Sequence, residues 1–198
     1  NTSSTHSTTR ERLLTATFEL LRRKGLHGFW INEVLSLAGA PKGVLYYHFP
    51  GGKQQLATAA IEAATGNIVC GLQKLQAAQR SVVDVLRTWL ERAYSQLEVS
   101  RFEKGCPLAT VALESTADDQ ELRQVLARSF ECIRTAVAQL LSESGFSDER
   151  AEQFAVLKVS TYEGSLLQAR VANKSEAAKV SMELLLQLLF KELEYVRK

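Results

Sequence analysis

The sequence predicts an all-α chain, and three observations predict it. Apolar residues recur at three- and four-residue spacing along most of the chain, whereas strand-type alternation never reaches a useful length. Only three prolines interrupt 198 residues, of which 45% are apolar. Helix punctuation falls at helix-sized intervals, with N-cap candidates at Thr8, Asp118, Ser147 and Asn173 and stops at Gly25, Gly39 and Gly145. The expected organisation is a three-helix module over residues 1–56, with a polar N-terminal tail, followed by a helical bundle over 57–198.

The first helix starts near Thr9, because Thr8 followed by Glu11 has capping-box spacing. Leu14, Phe18 and Leu21 form its apolar stripe, and Lys24-Gly25 ends it with a cation and a C-cap glycine. The second offers Ile31, Val34, Leu35 and Ala38 as a buried stripe, with Gly39 to end it and Pro41 suited to the start of the third. In the third, Leu45 and Phe49 are four apart and face inward. A fourth helix runs from Gly52 or Lys53 to about Ala78 and joins the module to the body. Gly66 and Gly71 inside it each cost about 1 kcal/mol relative to Ala, and mark a kink or a close helix contact. Further helices are expected near 82–100, 108–115, 119–144, 148–171 and 174–196, with residues 101–107 as a loop.

With Leu45 and Phe49 turned inward, Lys42, Gly43, Tyr46 and Tyr47 share the outer face of the third helix. One cation, one residue without a side chain and two phenols are poorly explained by solubility. Close approach to a DNA groove explains them well. The order Val34-Leu35, Ala38-Gly39, Lys42-Gly43, Leu45-Tyr46-Tyr47-His48-Phe49 and Lys53 resembles the DNA-binding region of the TetR family of bacterial transcriptional repressors. Pro50-Gly51-Gly52-Lys53 and Gly105-Cys106-Pro107-Leu108 look most like the LmrA/YxaF-like branch. One departure is Trp30, where the family usually has Thr or Ser capping the first helix of the pair and touching a phosphate. Asn32 or a backbone N–H is expected to take over that contact.

Each residue of the face has a separate expected task. Lys42 reaches a base edge or phosphate from a helix start that favours anions. Gly43 lets the backbone approach, Tyr46 bonds phosphate, and Tyr47 touches thymine methyls or base edges. His48 and Lys53 are expected phosphate contacts. Residues 1–56 hold Arg10, Arg12, Arg22, Arg23, Lys24, Lys42 and Lys53 against Glu11, Glu19 and Glu33, a basic end on a mildly acidic body. That distribution suits polyanion binding by one end, although solvated helix faces produce it too.

The last two helices are the second informative feature. From Met182 to Phe190 only Glu183 and Gln187 are polar, more apolar surface than one stripe requires. Either this helix is central within one subunit, or two subunits bury it in a four-helix bundle about a two-fold axis. The resemblance implies the homodimer, with Phe154, Leu157, Tyr162, Leu166, Leu184, Leu185, Leu188 and Leu189 as interface candidates. It also implies a pocket for a small-molecule effector among the body helices. Trp89, Tyr94, Phe102, Leu108, Glu114, Phe130, Tyr162 and Glu163 are its candidates, a set that suits a small apolar or aromatic ligand. Core packing is the competing role for each.

Other chemistry is weakly supported. Cys70, Cys106 and Cys132 are odd in number with no C-x-x-C spacing, so neither disulfides nor zinc are expected. Burial as small apolar residues is the expectation, with Cys106 in its Gly/Pro loop a candidate redox sensor. Gly51-Gly52-Lys53 is not a phosphate loop, because Tyr47 and Gln54 stand where Gly and Ser/Thr are needed. No His pair has metal-site spacing and no nucleophile motif occurs, so no enzyme, metal or cofactor is expected. No apolar run is long enough for a membrane span, and Asn1 to Thr9 has no secretory-leader core, which makes the cytoplasm the expected location. The expected function is a dimeric repressor on a pseudo-palindromic double-stranded DNA operator, released by an effector. The alternative is a helical ligand-binding or scaffold protein without specific DNA recognition, for which Trp30 is the support.

Overall fold

The computed structural model describes residues 8–78 and 81–196, and among them every regular element is an α-helix. In chain order these are α1 (Thr9–Lys24), α2 (Ile31–Ala38), α3 (Lys42–His48), α4 (Gly52–Ala78), α5 (Val82–Val99), α6 (Pro107–Glu114), α7 (Gln120–Ser142), α8 (Asp148–Ala172) and α9 (Glu176–Val196). The expected segments lie within two residues of these bounds. Most of the polar N-terminal tail read from the sequence lies outside the described residues.

Local chemistry accounts for the ends. The Thr8 side chain accepts from Glu11 N–H at 3.2 Å while Glu11 accepts from Thr8 N–H at 2.8 Å, closing the capping box. The Ser147 side chain accepts from Arg150 N–H. Two expected caps need correction. The Asp119 carbonyl, not that of Asp118, accepts the first α7 bond, from Arg123 N–H at 2.9 Å, and its carboxylate is held by Thr116. Asn173 does not start α9. It ends α8 in the left-handed conformation (φ 52°), which Asn tolerates, and the Ser175 carbonyl accepts the first α9 bond, from Lys179 N–H. Gly66 and Gly71 lie inside unbroken α4 with open space where a Cβ would stand, so a close helix contact does not explain them.

The chain divides into two compact units, Asn1–Ala64 with Pro107–Leu126, and Thr65–Cys106 with Ala127–Lys198. In the first, α1 buries Leu13, Leu14, Leu20 and Leu21, and Phe29, Val34, Leu45, Phe49 and Ile61 join them in the core. The stripe on α2 is narrower than expected, with Val34 and Ala38 buried but Ile31 and Leu35 only half-buried. In the second unit, α8 and α9 pack side by side, and the core runs through Leu72, Leu86, Leu97, Val137, Leu141, Leu166, Leu185 and Leu189. No helix among the described residues is long and apolar enough to cross a membrane.

Candidate functional site

The first candidate surface is the outer face of α3. Leu45 and Phe49 are buried, and Phe49 N–H closes the helix on the Leu45 carbonyl at 2.7 Å. That anchorage leaves Lys42, Gly43, Tyr46 and Tyr47 exposed, Tyr47 to 82%. A Cβ built on Gly43 would meet nothing within 4 Å. Internal packing therefore does not require glycine there, although it weakens a seven-residue helix by about 1 kcal/mol relative to Ala. Asn32 is exposed in the first turn of α2. Trp30 occupies the cap position 76% exposed, and its side chain makes no cap bond. Glu33 makes the other half of a capping box, accepting from Trp30 N–H at 2.8 Å, and Glu33 also pairs with Lys24.

Two expected phosphate contacts are more enclosed than the face itself. His48 is half-buried between Tyr47 and Phe49, its ring 5.1 Å from the Tyr47 ring. Lys53 turns inward, donating to the Phe29 carbonyl at 2.6 Å with its ammonium 4.4 Å from the Phe29 ring centre. Burial pulls its pKa below the usual lysine value. Lys53 thus ties the start of α4 to the chain ahead of α2.

The second site lies wholly within the second unit, and its centre is a residue that the sequence reading missed. Lys158 on α8 is 1% exposed, and its Nζ has no hydrogen-bond partner among the described residues. The ammonium sits 3.5 Å from the centre of the Trp89 ring and 5.3 Å from that of Tyr162. Trp89 and Tyr162 are themselves 4.8 Å apart, and Tyr94 stands 6.5 Å from Tyr162 with its hydroxyl 3.0 Å from Ser165 Oγ. Glu163 and Cys106 complete the cluster. The Cys106 thiol hydrogen-bonds the Glu163 carboxyl, whose Oε2 is buried without a partner. Burial lowers Lys158 to about 7, partly offset by Glu163 and Cys106, and burial raises Glu163 above the usual carboxylate range.

Four ligand candidates, Trp89, Tyr94, Tyr162 and Glu163, therefore meet around a cation. Phe102 packs against the same core and Phe130 is half-buried on α7. Leu108 and Glu114 belong to the other unit. Leu108 is fully buried, and Glu114 is committed elsewhere: its Oε2 accepts from Leu26 N–H at 2.5 Å and His27 N–H at 3.1 Å. The signal for Lys158 was present as a single cation within Phe154-Ala155-Val156-Leu157-Lys158-Val159.

The dimer candidates divide by exposure. Leu157, Leu184 and Leu188 are exposed, and Leu167, Val171 and Val180 extend the same apolar exposure along α8 and α9. Phe154, Leu166, Leu185 and Leu189 instead fill the subunit core, and Tyr162 turns toward Trp89. The wide apolar circumference of α9 explains this: one stripe packs inward while Val180, Leu184 and Leu188 point outward at four-residue spacing. The cysteine expectation also fails for Cys70 and Cys132, which are exposed, while Cys106 is half-buried.

Residues 13–60 match the family model of the bacterial regulatory proteins of the tetR family, and residues 82–180 match that of the LmrA/YxaF-like transcriptional regulator C-terminal domain. The chain is 32% identical over 167 residues to an uncharacterized HTH-type transcriptional regulator of Mycobacterium tuberculosis, covering 82% of this chain and 84% of that one. It is 28% identical over 166 residues to the HTH-type transcriptional regulator LmrA of Bacillus subtilis, covering 84% and 88%. The regulatory protein TetR from Rhodobacter sphaeroides aligns with a TM-score of 0.80 at 23% identity, over 91% of this chain and 98% of that one. A TetR transcriptional regulator from Legionella pneumophila aligns at 0.79 and 21% identity, over 95% and 98%. At those identities the two structures speak to the fold alone.

Proposed function

This chain belongs to the TetR family of bacterial transcriptional regulators, in its LmrA/YxaF-like branch, and from that premise we propose that it is a cytoplasmic repressor released from DNA by a small effector. Residues 1–56 form the DNA-binding domain, and residues 57–198 carry effector binding and dimerisation. The family is one of DNA-binding regulators and not of enzymes.

The exposed face of α3 carries the reading. Lys42 is given the base edge or phosphate, Tyr46 phosphate, and Tyr47 the groove floor, while Gly43 lets the backbone come close. Asn32 adds a phosphate contact from α2. In the dimer, Leu157, Leu184 and Leu188 of each subunit meet around a two-fold axis. On the operator, the two α3 helices of the proposed dimer are assigned to successive major grooves of a pseudo-palindrome, about 34 Å apart. An effector that favours another separation needs a coupling of only about 1–3 kcal/mol to change DNA affinity some 5- to 150-fold.

The test is binding to DNA from upstream of the protein's own gene, across a salt series and against scrambled DNA of equal length. Tighter binding to the native fragment at physiological salt is the expected result. Equal, steeply salt-dependent binding to both would reduce the interaction at that fragment to phosphate attraction.

A further inference from the structure

We propose that the Lys158 cluster takes a small aromatic carboxylic acid, its carboxylate on the Lys158 ammonium and its ring against Trp89 and Tyr162. This rests on the effector-responsive reading above and gives the effector a chemical class. Two buried groups that ought to satisfy each other do not. Lys158 Nζ and Glu163 Oε2 are both buried, both belong to one cluster, and each lacks a hydrogen-bond partner. A cation and carboxyl kept to stabilise the fold would close into a hydrogen-bonded pair, since an unpaired buried charge is costly. Here the ammonium lies on the Trp89 face instead, and the Glu163 carboxyl is turned to Cys106.

That arrangement leaves Nζ without an acceptor, in surroundings made by the Trp89 and Tyr162 rings. A single cation matches a single negative charge, so a carboxylate fits where a phosphate dianion would keep an uncompensated charge. Trp89 and Tyr162, only partly buried and with Tyr94 packed behind Tyr162, make the neighbourhood of Nζ aromatic, and a ligand ring would meet them in offset or edge-on contact. Glu163, raised by burial toward its neutral form, repels an incoming carboxylate less than an ordinary glutamate would, and when protonated it donates a hydrogen bond. A neutral ligand would leave the Lys158 ammonium unmatched, and a cationic one would be repelled by it.

The site also predicts proton uptake. The groups of the cluster that titrate are Lys158, Glu163, Cys106, Tyr94 and Tyr162. With Lys158 near 7, the free site is largely deprotonated at pH 8, and a bound carboxylate draws a proton onto the amine. Calorimetry on the full chain, with benzoate, 3-phenylpropanoate and 1-naphthoate each paired with its primary amide, reads both affinity and protons. The expected result is at least tenfold tighter binding of an acid than of its amide. Proton uptake should be larger at pH 8 than at pH 6, and Lys158→Met should abolish the preference. The proton count needs no variant, so it decides the matter if Lys158→Met does not fold. Equal affinity for acid and amide, an acid preference that survives in folded Lys158→Met, or failure of every acid to bind overturns the proposal. Operator release is measured separately. Acid binding through Lys158 that leaves DNA bound upholds the site and sinks the release mechanism instead.

Discussion

The α3 face and the Lys158 cluster each present a lysine beside aromatic rings, under opposite solvation. Lys42 and Tyr47 stand in water on a helix anchored from behind by Leu45 and Phe49, so their cost is small and their partners are to come from outside. Lys158 has been stripped of water, rests on Trp89 and Tyr162, and loses basicity as a result. An exposed cation keeps its charge and works by long-range attraction to a polyanion. A buried one works at short range and responds to whatever compensates it. On the two proposals above, recognition of DNA and of a small acid would use the same residue type in two environments.

Four perturbations test that contrast, from the largest expected effect to the smallest. Replacing Lys42 and Tyr47 together by Ala should weaken operator binding by about 30-fold or more, at about 1–3 kcal/mol per contact. Circular dichroism should be unchanged because both side chains are exposed. Operator affinity equal to that of the native chain, read by fluorescence anisotropy, would remove α3 from the interface.

Lys158→Met tests the buried side through stability. The folded-state pKa near 7 lies below the unfolded value of 10.5, so the unfolded chain holds more protons between them. Native stability should therefore rise with pH from about 7 to 9.5, by up to about 1.4 kcal/mol per unit. The variant should lose that rise. Tyr94, raised by burial, pulls the other way above about pH 10, so the comparison belongs below that. Parallel stability curves for the two proteins would mean that Lys158 is solvated.

Glu114 lies between the extremes, half-buried but fully engaged. Its replacement by Ala orphans the Leu26 and His27 N–H groups and should lower stability by about 1–3 kcal/mol. Glu114→Gln keeps an acceptor and should cost less, and equal melting temperatures for the two variants would argue against those bonds. The smallest effect belongs to Gly43→Ala, which should add up to about 1 kcal/mol of stability because its Cβ meets nothing. The same substitution should weaken operator binding. Unchanged or tighter binding would show that the backbone does not come close to DNA at Gly43.

The contrast also explains what could be read without coordinates. Helix ends were legible where cap chemistry is unambiguous, as with the reciprocal bonds of Thr8 and Glu11. They were not where one residue suits two tasks: Asn173 could begin a helix or end one, and only the backbone decides. The α3 face was readable because exposure makes its composition odd. Lys158 was unreadable because lysine in a helix is ordinarily a solvated residue, and nothing local states that Trp89, some 70 positions earlier, closes over it. Periodicity could not divide α9 either. Leu185 and Leu189 are as apolar as Leu184 and Leu188, yet the first pair fills the core and the second faces outward.

Gly25 follows α1 with φ at +71°, and a Cβ there would lie 1.9 Å from Glu114 Oε1. The backbone torsion disfavours a side chain there, and the Glu114 carboxylate would have to shift from its bonds to Leu26 and His27 N–H to admit one. A lineage that shortens residue 114 removes the collision but not the torsional barrier, so position 25 gains room without gaining freedom. Among homologues that fold this way, acid at 114 should always accompany glycine at 25, whereas glycine at 25 should outlast loss of the acid.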